Sequence, residues 1–256
     1  MNKVNTPHLH QLNDINARSF GSAADVYDGA RPSYPPEALA WAFGIKPADI
    51  VDLGAGTGIL TRGLIAAGHT VTAVEPDDKM MTKLLRSTQG LAGHHIGVAE
   101  ELPLPDNSVD AVAAGQSYHW FDAQTVLPEI KRILRPGGTF TPIWNVRDET
   151  VDWVKKLSQI VGASDAEVTA MHALRPGYFG PHFRDVESQL FHHEKQFNAQ
   201  GLLRLVQSRS YYITASDSRK RHIEAAVDRL VSTHSDLAGR DTFAMPYVTH
   251  AFRMAK

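Results

Sequence analysis

None of the 256 residues is cysteine, which excludes disulfides, a thiol nucleophile and cysteine-ligated iron–sulfur clusters. Excess charge is missing too: 26 basic residues stand against 28 acidic ones, so the formal net charge of −2 offers no electrostatic footprint for nucleic acid or an anionic membrane. No apolar run reaches the roughly 18 residues that cross a bilayer, and the polar stretch from Met1 to Arg18 lacks the apolar region of a signal peptide. These absences lead us to expect a cytoplasmic chain with small-molecule partners, without nucleic acid or membrane, acting as a monomer or homodimer. Thirteen histidines raise the question of metal, but there is no H-E-x-x-H pattern or carboxylate cluster, and the His-His pairs point adjacent side chains apart, so no metal is expected. Repeats, low-complexity runs and charge blocks are absent. What is present is an ordinary globular composition, 43% hydrophobic, enough for a sizeable core.

The chain is organised around Val51–Asp52–Leu53–Gly54–Ala55–Gly56–Thr57–Gly58. Ile50, Val51 and Leu53 suit a buried parallel strand, and Ile59, Leu60, Leu64 and Ile65 then recur at helical spacing up to Gly68. The glycines therefore sit at a strand-to-helix turn, where positive φ and the lack of a Cβ let a ligand approach the backbone near free N–H groups. A second strand, Thr70–Glu75, also ends in a carboxylate. One helix fits between the glycines and Glu75, so Glu75 is placed to accept two hydrogen bonds from ribose hydroxyls. Pro76 stops that strand, and Asp77 caps a helix that carries Met80, Met81, Leu84 and Leu85. A third strand is expected at His95–Ala99 and a fourth at Val109–Ala114, which runs on into Gly115–Gln116–Ser117–Tyr118–His119–Trp120–Phe121. Reacting groups belong beyond the carboxyl ends of such strands.

The G-x-G-x-G spacing at 54, 56 and 58 after Asp52 resembles motif I of the Rossmann-like S-adenosylmethionine (SAM) methyltransferases and departs from the G-x-G-x-x-G of dinucleotide folds. The A-E-x-L-P-x-x-D-x-x-x-D sequence from Ala99, the Ser117–Phe121 run and the Leu134–Arg135–Pro136–Gly137–Gly138 turn resemble the same family, in the same order. Further upstream, Phe20, Ala24, Tyr27, Arg31–Pro32 and Tyr34–Pro35 are similar to the N-terminal lid of small-molecule enzymes such as the trans-aconitate methyltransferases. The resemblance spans about Phe20 to Trp144. It implies SAM as cofactor, bound by Tyr27, Arg31, Asp52, Gly54, Ala55, Gly56, Glu75, Pro76, Met80, Ala99, Glu100 and Gln116. Tyr118, Trp120, Tyr178 and Phe179 are the candidate substrate contacts. His119 is the candidate catalytic group, either as a base titrating near pH 7 or as a residue that shapes the pocket by local hydrogen bonding.

The expected architecture is α/β: a Rossmann-like, seven-stranded, mainly parallel sheet with helices on both faces. Residues 1–18 read as a flexible leader and 19–256 as a single domain, with a lid and first helix (19–47), a SAM-binding core (48–145) and a substrate cap with the last strands (146–256). Helices are expected at about Asp122–Leu134, Leu202–Tyr212 and Arg219–His234, a fifth strand at Thr139–Trp144, a covering loop at His172–Phe183, and a closing hairpin from Glu187–Phe197 and Thr242–Met254. The function that follows is methyl transfer to a small-molecule acceptor, at a carboxylate or hydroxyl oxygen. Two alternatives are a SAM-binding protein without turnover and a nicotinamide-dependent oxidoreductase.

Overall fold

A computed structural model describes residues 29–256 apart from 163, 164, 176, 181 and 184. The expected leader and most of the lid, Tyr27 included, lie outside the described residues. The first described helix, α1 (Pro36–Phe43), starts on a proline whose missing N–H costs a first-turn position nothing. Strand and helix then alternate: β1 (Asp49–Leu53), α2 (Ile59–Ala66), β2 (Thr70–Glu75), α3 (Asp78–Ser87), β3 (Gly93–Ile96), β4 (Val109–Gly115), α4 (Ala123–Ile133) and β5 (Leu134–Arg147). Beyond β5 come α5 (Asp152–Val161), α6 (Asp165–Ala173), β6 (Glu187–Phe197), α7 (Ala199–Gln207), α8 (Ser210–Ile213), α9 (Asp217–Thr233) and β7 (Phe243–Ala255).

The seven strands form one sheet in the order β3-β2-β1-β4-β5-β7-β6, and β7 runs antiparallel to both of its neighbours. The α/β architecture with a mainly parallel sheet and helices on both faces is the one the sequence implies. The chain winds outward from β1 through β2 to β3, then returns to place β4 on the other side of β1. That reversal leaves a crevice beyond the carboxyl ends of β1 and β4, the usual ligand position in such sheets.

Near-continuous apolar runs make this sheet, as a parallel sheet covered on both faces requires. Val51, Leu53, Val112, Phe140 and Trp144 pack on one face with Val126 and Ile130 of α4, while Ile50, Val71, Ala111 and Ile143 pack on the other with Leu39, Leu60 and Leu64 of α1 and α2. A second core lies in the carboxyl-terminal cap, where Trp153 and Leu157 of α5, Leu202 and Leu205 of α7 and Ile223 and Val227 of α9 close on Met245 and Tyr247 of β7. No helix among the described residues is long and apolar enough to cross a membrane.

Several element boundaries differ from expectation, each for a tertiary reason. β3 lies two residues earlier than expected at its start and ends at Ile96, because it pairs only with β2, which stops at Glu75 before Pro76. β5 is longer at both ends because β4 and β7 pair with it on either side, down to Arg147 opposite Tyr247. The helix expected over Leu202–Tyr212 breaks at Ser208, whose Oγ donates back to the Leu205 carbonyl at 2.7 Å and whose own carbonyl accepts from Arg31. Helix α6 was not foreseen, its short run carrying a single buried stripe of Ala166, Ala170 and Ala173.

Gly138, near the start of β5, is hemmed in by backbone: a Cβ there would stand 2.9 Å from the backbone oxygens of both Arg135 and Asp110. Backbone cannot swing away as a side chain can. Gly138→Ala is expected to destabilise the protein by about 1–3 kcal/mol in urea unfolding, whereas Gly97→Ala, where a Cβ meets nothing within 4 Å, should stay within about 0.5 kcal/mol of wild type. Equal midpoints for the two variants would contradict this packing.

Candidate active site

The glycine loop leaves β1 through three residues of positive φ: Gly54 at 65°, Gly56 at 57° and Gly58 at 87°. They serve different ends. A Cβ on Gly54 would fall 2.7 Å from the Ser117 Cβ, and one on Gly58 would fall 2.8 Å from Leu84 Cγ, so these two glycines allow neighbouring elements to close in. At Gly56 a Cβ would meet nothing within 4 Å, because this residue faces the crevice. The Gly54 and Ala55 N–H groups both donate to the Val74 carbonyl, at 2.8 and 3.1 Å, which fastens the loop to the end of β2.

Two buried carboxylates stand behind this loop. Glu75 Oε2 accepts the Gly56 N–H at 2.8 Å and Oε1 accepts the Asp77 N–H at 3.0 Å, leaving each oxygen a further lone pair. Asp52 Oδ2 accepts from the Thr61 hydroxyl at 2.6 Å, while Asp52 Oδ1 is buried without a hydrogen-bond partner among the described residues. Burial pushes the Glu75 carboxyl up to about 7, against the pull of its two backbone donors. Burial does the same to Asp52, also to about 7, opposed by the Thr61 hydroxyl and reinforced by the nearby Glu75 charge. Two buried carboxylates, the charge of Glu75 opposing that of Asp52, suit a cationic ligand.

The opposite wall is built from the ends of β4 and β5 and from the cap. Gln116 holds a positive φ of 56°, and its Nε2 donates to the Asn145 carbonyl at 2.8 Å, leaving Oε1 buried without a partner among the described residues. Asn145 Nδ2 donates to the Ser33 carbonyl at 3.1 Å, tying the segment after Arg31 to the sheet, and its Oδ1 accepts from Thr249 at 2.5 Å. Tyr118–Trp120 forms one 3-10 turn that sends Tyr118 into the core and His119 and Trp120 to the crevice. Arg31 reaches across to the cap, where its Nε donates to Ser208 Oγ at 3.2 Å and its terminal nitrogen to the Ser208 carbonyl at 2.9 Å.

The crevice thus brings together Arg31, Asp52, Gly54, Ala55, Gly56, Glu75, Pro76, Met80, Gln116, His119 and Trp120 of the expected residues. It does not include Ala99, Glu100, Tyr118, Tyr178 or Phe179. Ala99 is buried in the core, and Glu100 turns away to accept the Asp122 N–H at 3.0 Å, just before α4. Tyr118 and Phe179 lie 5.5 Å apart, ring to ring, inside the main core, and Tyr178 stacks edge-on against Phe179, so these aromatics support the crevice from behind. His119 also departs from expectation: burial first, then the positive charges of Arg209 and Arg31, pushes its imidazole down to about 3. It is neutral at pH 7 but a feeble proton acceptor, so a titration near neutrality does not belong to it. Sequence reading missed Asn145, Ala166 and Arg209, which line the crevice from elements far along the chain. Only the asparagine, one residue past the strand expected over Thr139–Trp144 and near the end of β5, lay where strand-end logic could have found it.

Comparison with known proteins agrees with this geometry. Residues 51–141 match a family described as a methyltransferase domain. An uncharacterized methyltransferase of Mycobacterium tuberculosis is 40% identical over 235 residues, covering 92% of this chain and 94% of the relative. A second, from Schizosaccharomyces pombe, is 32% identical over 248 residues, covering 93% and 97%. Among solved structures, a putative type II methyltransferase from Anaeromyxobacter dehalogenans superposes with a TM-score of 0.62 at 23% identity, over 88% of this chain and 97% of that one, and so shares the fold.

The raised carboxyls make the ligand-free protein pH-sensitive in a defined direction. A folded-state value above the ordinary carboxylate range means that the native state holds protons the unfolded chain has released, so the contribution of these two groups to stability is full below the ordinary values of 3.8 and 4.5 and is lost as pH rises toward about 7. Glu75→Gln removes one of the two groups. Thermal melts of the ligand-free proteins from pH 4.5 to 7.5 should therefore show the variant gaining on wild type as pH rises; a difference that is flat or reversed would mean Glu75 ionises normally.

Proposed function

The chain belongs to this methyltransferase family and is a SAM-dependent methyltransferase, and we propose that it methylates an oxygen, carboxylate or hydroxyl, of a small-molecule acceptor. SAM supplies a methyl group on a sulfonium, and transfer forms the acceptor O–CH3 bond as the S–CH3 bond breaks and its electron pair stays on sulfur. The residues present fit this group. Gly56 leaves open backbone, Glu75 keeps lone pairs for two hydroxyl donors, and the mutually opposed Asp52 and Glu75 carboxylates are relieved by a cation. Gly54, Ala55, Gly56, Asp52, Glu75 and Met80 would hold it, with Arg31 beyond them at the cap.

On the acceptor side the chain supplies orientation and exclusion of water. Trp120 and Phe121 give apolar walls, while Gln116 and Asn145 fix the ends of β4 and β5. The observation that carries the oxygen reading is the state of His119: the one candidate base beyond β4 is held neutral and non-basic down to about 3. A carboxylate is already ionised at neutral pH and needs no base, so this supports a carboxylate oxygen ahead of a phenol, alcohol or amine. The nicotinamide alternative is opposed by the glycine spacing and by the family to which the chain belongs.

The test is transfer of label from methyl-labelled SAM into a metabolite extract, followed by mild alkali. Label on a carboxylate is released as methanol, label on a hydroxyl resists, and label found on nitrogen or carbon would overturn the proposal. Calorimetry gives a second check: Glu75→Gln should weaken SAM binding roughly ten- to a hundredfold, by the loss of about 1.5–3 kcal/mol of charge-assisted hydrogen bonding. His119→Gln should raise the acceptor KM while lowering kcat less than about tenfold. A drop of about 10²–10⁴ in kcat with a lost pH profile would instead make His119 the base.

A further inference from the structure

Three arginines gather where the cap meets the crevice, and their partners differ. Arg147 is buried in a two-point ion pair with Glu167, Nε to Oε1 and its terminal nitrogen to Oε2, both at 2.7 Å. Arg31 is anchored on Ser208. Arg209, next in the chain, is only 5% exposed and lines the crevice, yet its guanidinium makes no hydrogen bond or ion pair among the described residues. The fields of Arg31, Arg147 and Arg209 all reach Tyr247, against the single opposing charge of Glu167.

Burying an unpaired guanidinium is costly, and proteins keep buried charges paired unless something else supplies the counter-charge. Among the described residues no carboxylate pairs with it: Asp52 and Glu75 stand at the ends of β1 and β2 with their own partners in the loop, and Glu167 is taken by Arg147. Arg209 reaches the crevice from the cap, in company with Ser210 and with Ala166 of α6, and shares its lining with His119 of the 3-10 turn beyond β4. A guanidinium presents a planar fork of N–H donors that matches two oxygens of an anion.

We propose that Arg209 seats an anionic group of the methyl acceptor, a carboxylate or a phosphate, and so selects anionic acceptors. This rests on the methyl-transfer reading above and adds the acceptor's charge to it. The seated anion supplies the missing counter-charge and orients the acceptor between His119 and the glycine loop. Arg209 is a substrate-positioning contact and takes no part in proton transfer.

The experiment compares wild type, Arg209→Gln and Arg209→Lys, each saturated with S-adenosylhomocysteine, in NMR titrations with phenylacetate, its uncharged match phenylacetamide, and phenyl phosphate. Phenylacetate is expected to bind wild type, to lose at least tenfold in affinity in Arg209→Gln and to recover part of it in Arg209→Lys, with the amide failing to bind all three. Tighter binding of phenyl phosphate than of phenylacetate would identify the anion as a phosphate. S-adenosylhomocysteine affinity should stay within about threefold across the set, and the Gln variant should melt at or above wild type because an unpaired buried charge is gone. The proposal is overturned if wild type binds the amide as well as the acid or binds neither anion, if Arg209→Gln binds anions as wild type does, or if its loss falls on S-adenosylhomocysteine. Failure of wild type to bind S-adenosylhomocysteine would instead sink the underlying methyl-transfer reading, a separate and visible result.

Discussion

The hydrogen bond from the Gly56 N–H to Glu75 Oε2, at 2.8 Å, ties the two halves of the crevice together. Gly56 belongs to the loop after β1 and Glu75 to the end of β2, so one contact sets the height of the loop over the sheet and the direction of the carboxylate at once. It is possible only because Gly54 and Gly58 carry no Cβ: with one, Ser117 and Leu84 would hold the loop away. The carboxylate's raised value follows from the same burial that makes the contact short-range and strong. A ligand that approaches the open side of Gly56 meets that carboxylate directly.

Charge is unevenly distributed around the crevice. Asp52 and Glu75 stand at the ends of neighbouring parallel strands, whereas Arg31 and Arg209 come from the chain before the sheet and from the cap. The carboxylate side is complementary to a cationic centre and the arginine side to an anionic group. His119 stands under the arginine fields, which together with burial hold its imidazole neutral. Apolar aromatics complete the enclosure, and those behind it, Tyr118 and Phe179, transmit the packing of the main core to the 3-10 turn that carries His119.

Much of the fold was legible in the chain because parallel strands covered on both faces leave apolar runs with glycine at their ends. Ile50–Leu53 and Val109–Ala114 show that signature, and the capping Asp77 marks α3 through its bonds to the Lys79 and Met80 N–H groups. The boundaries that moved were those set by a partner strand, as at β3 and β5, or by a contact from far away, as where Arg31 grips Ser208 across 177 residues. Helix α6 escaped notice because alanines give little periodic contrast. The aromatics of the loop expected over His172–Phe183 looked like crevice walls, but Phe179 is 1% exposed and serves the core: composition does not say which way a ring faces.

By itself, the sequence determined the glycine loop, the two strand-end carboxylates and the sheet class, because each depends on backbone conformation and on spacing within about thirty residues. The tertiary structure alone decided that His119 is neutral and weakly basic, that Asn145 anchors the segment after Arg31, and that Arg209 reaches the crevice without an ion-pair partner among the described residues. Those properties depend on burial and on fields between residues as far apart as His119 and Arg209. Spacing along the chain carries no record of distances of that kind.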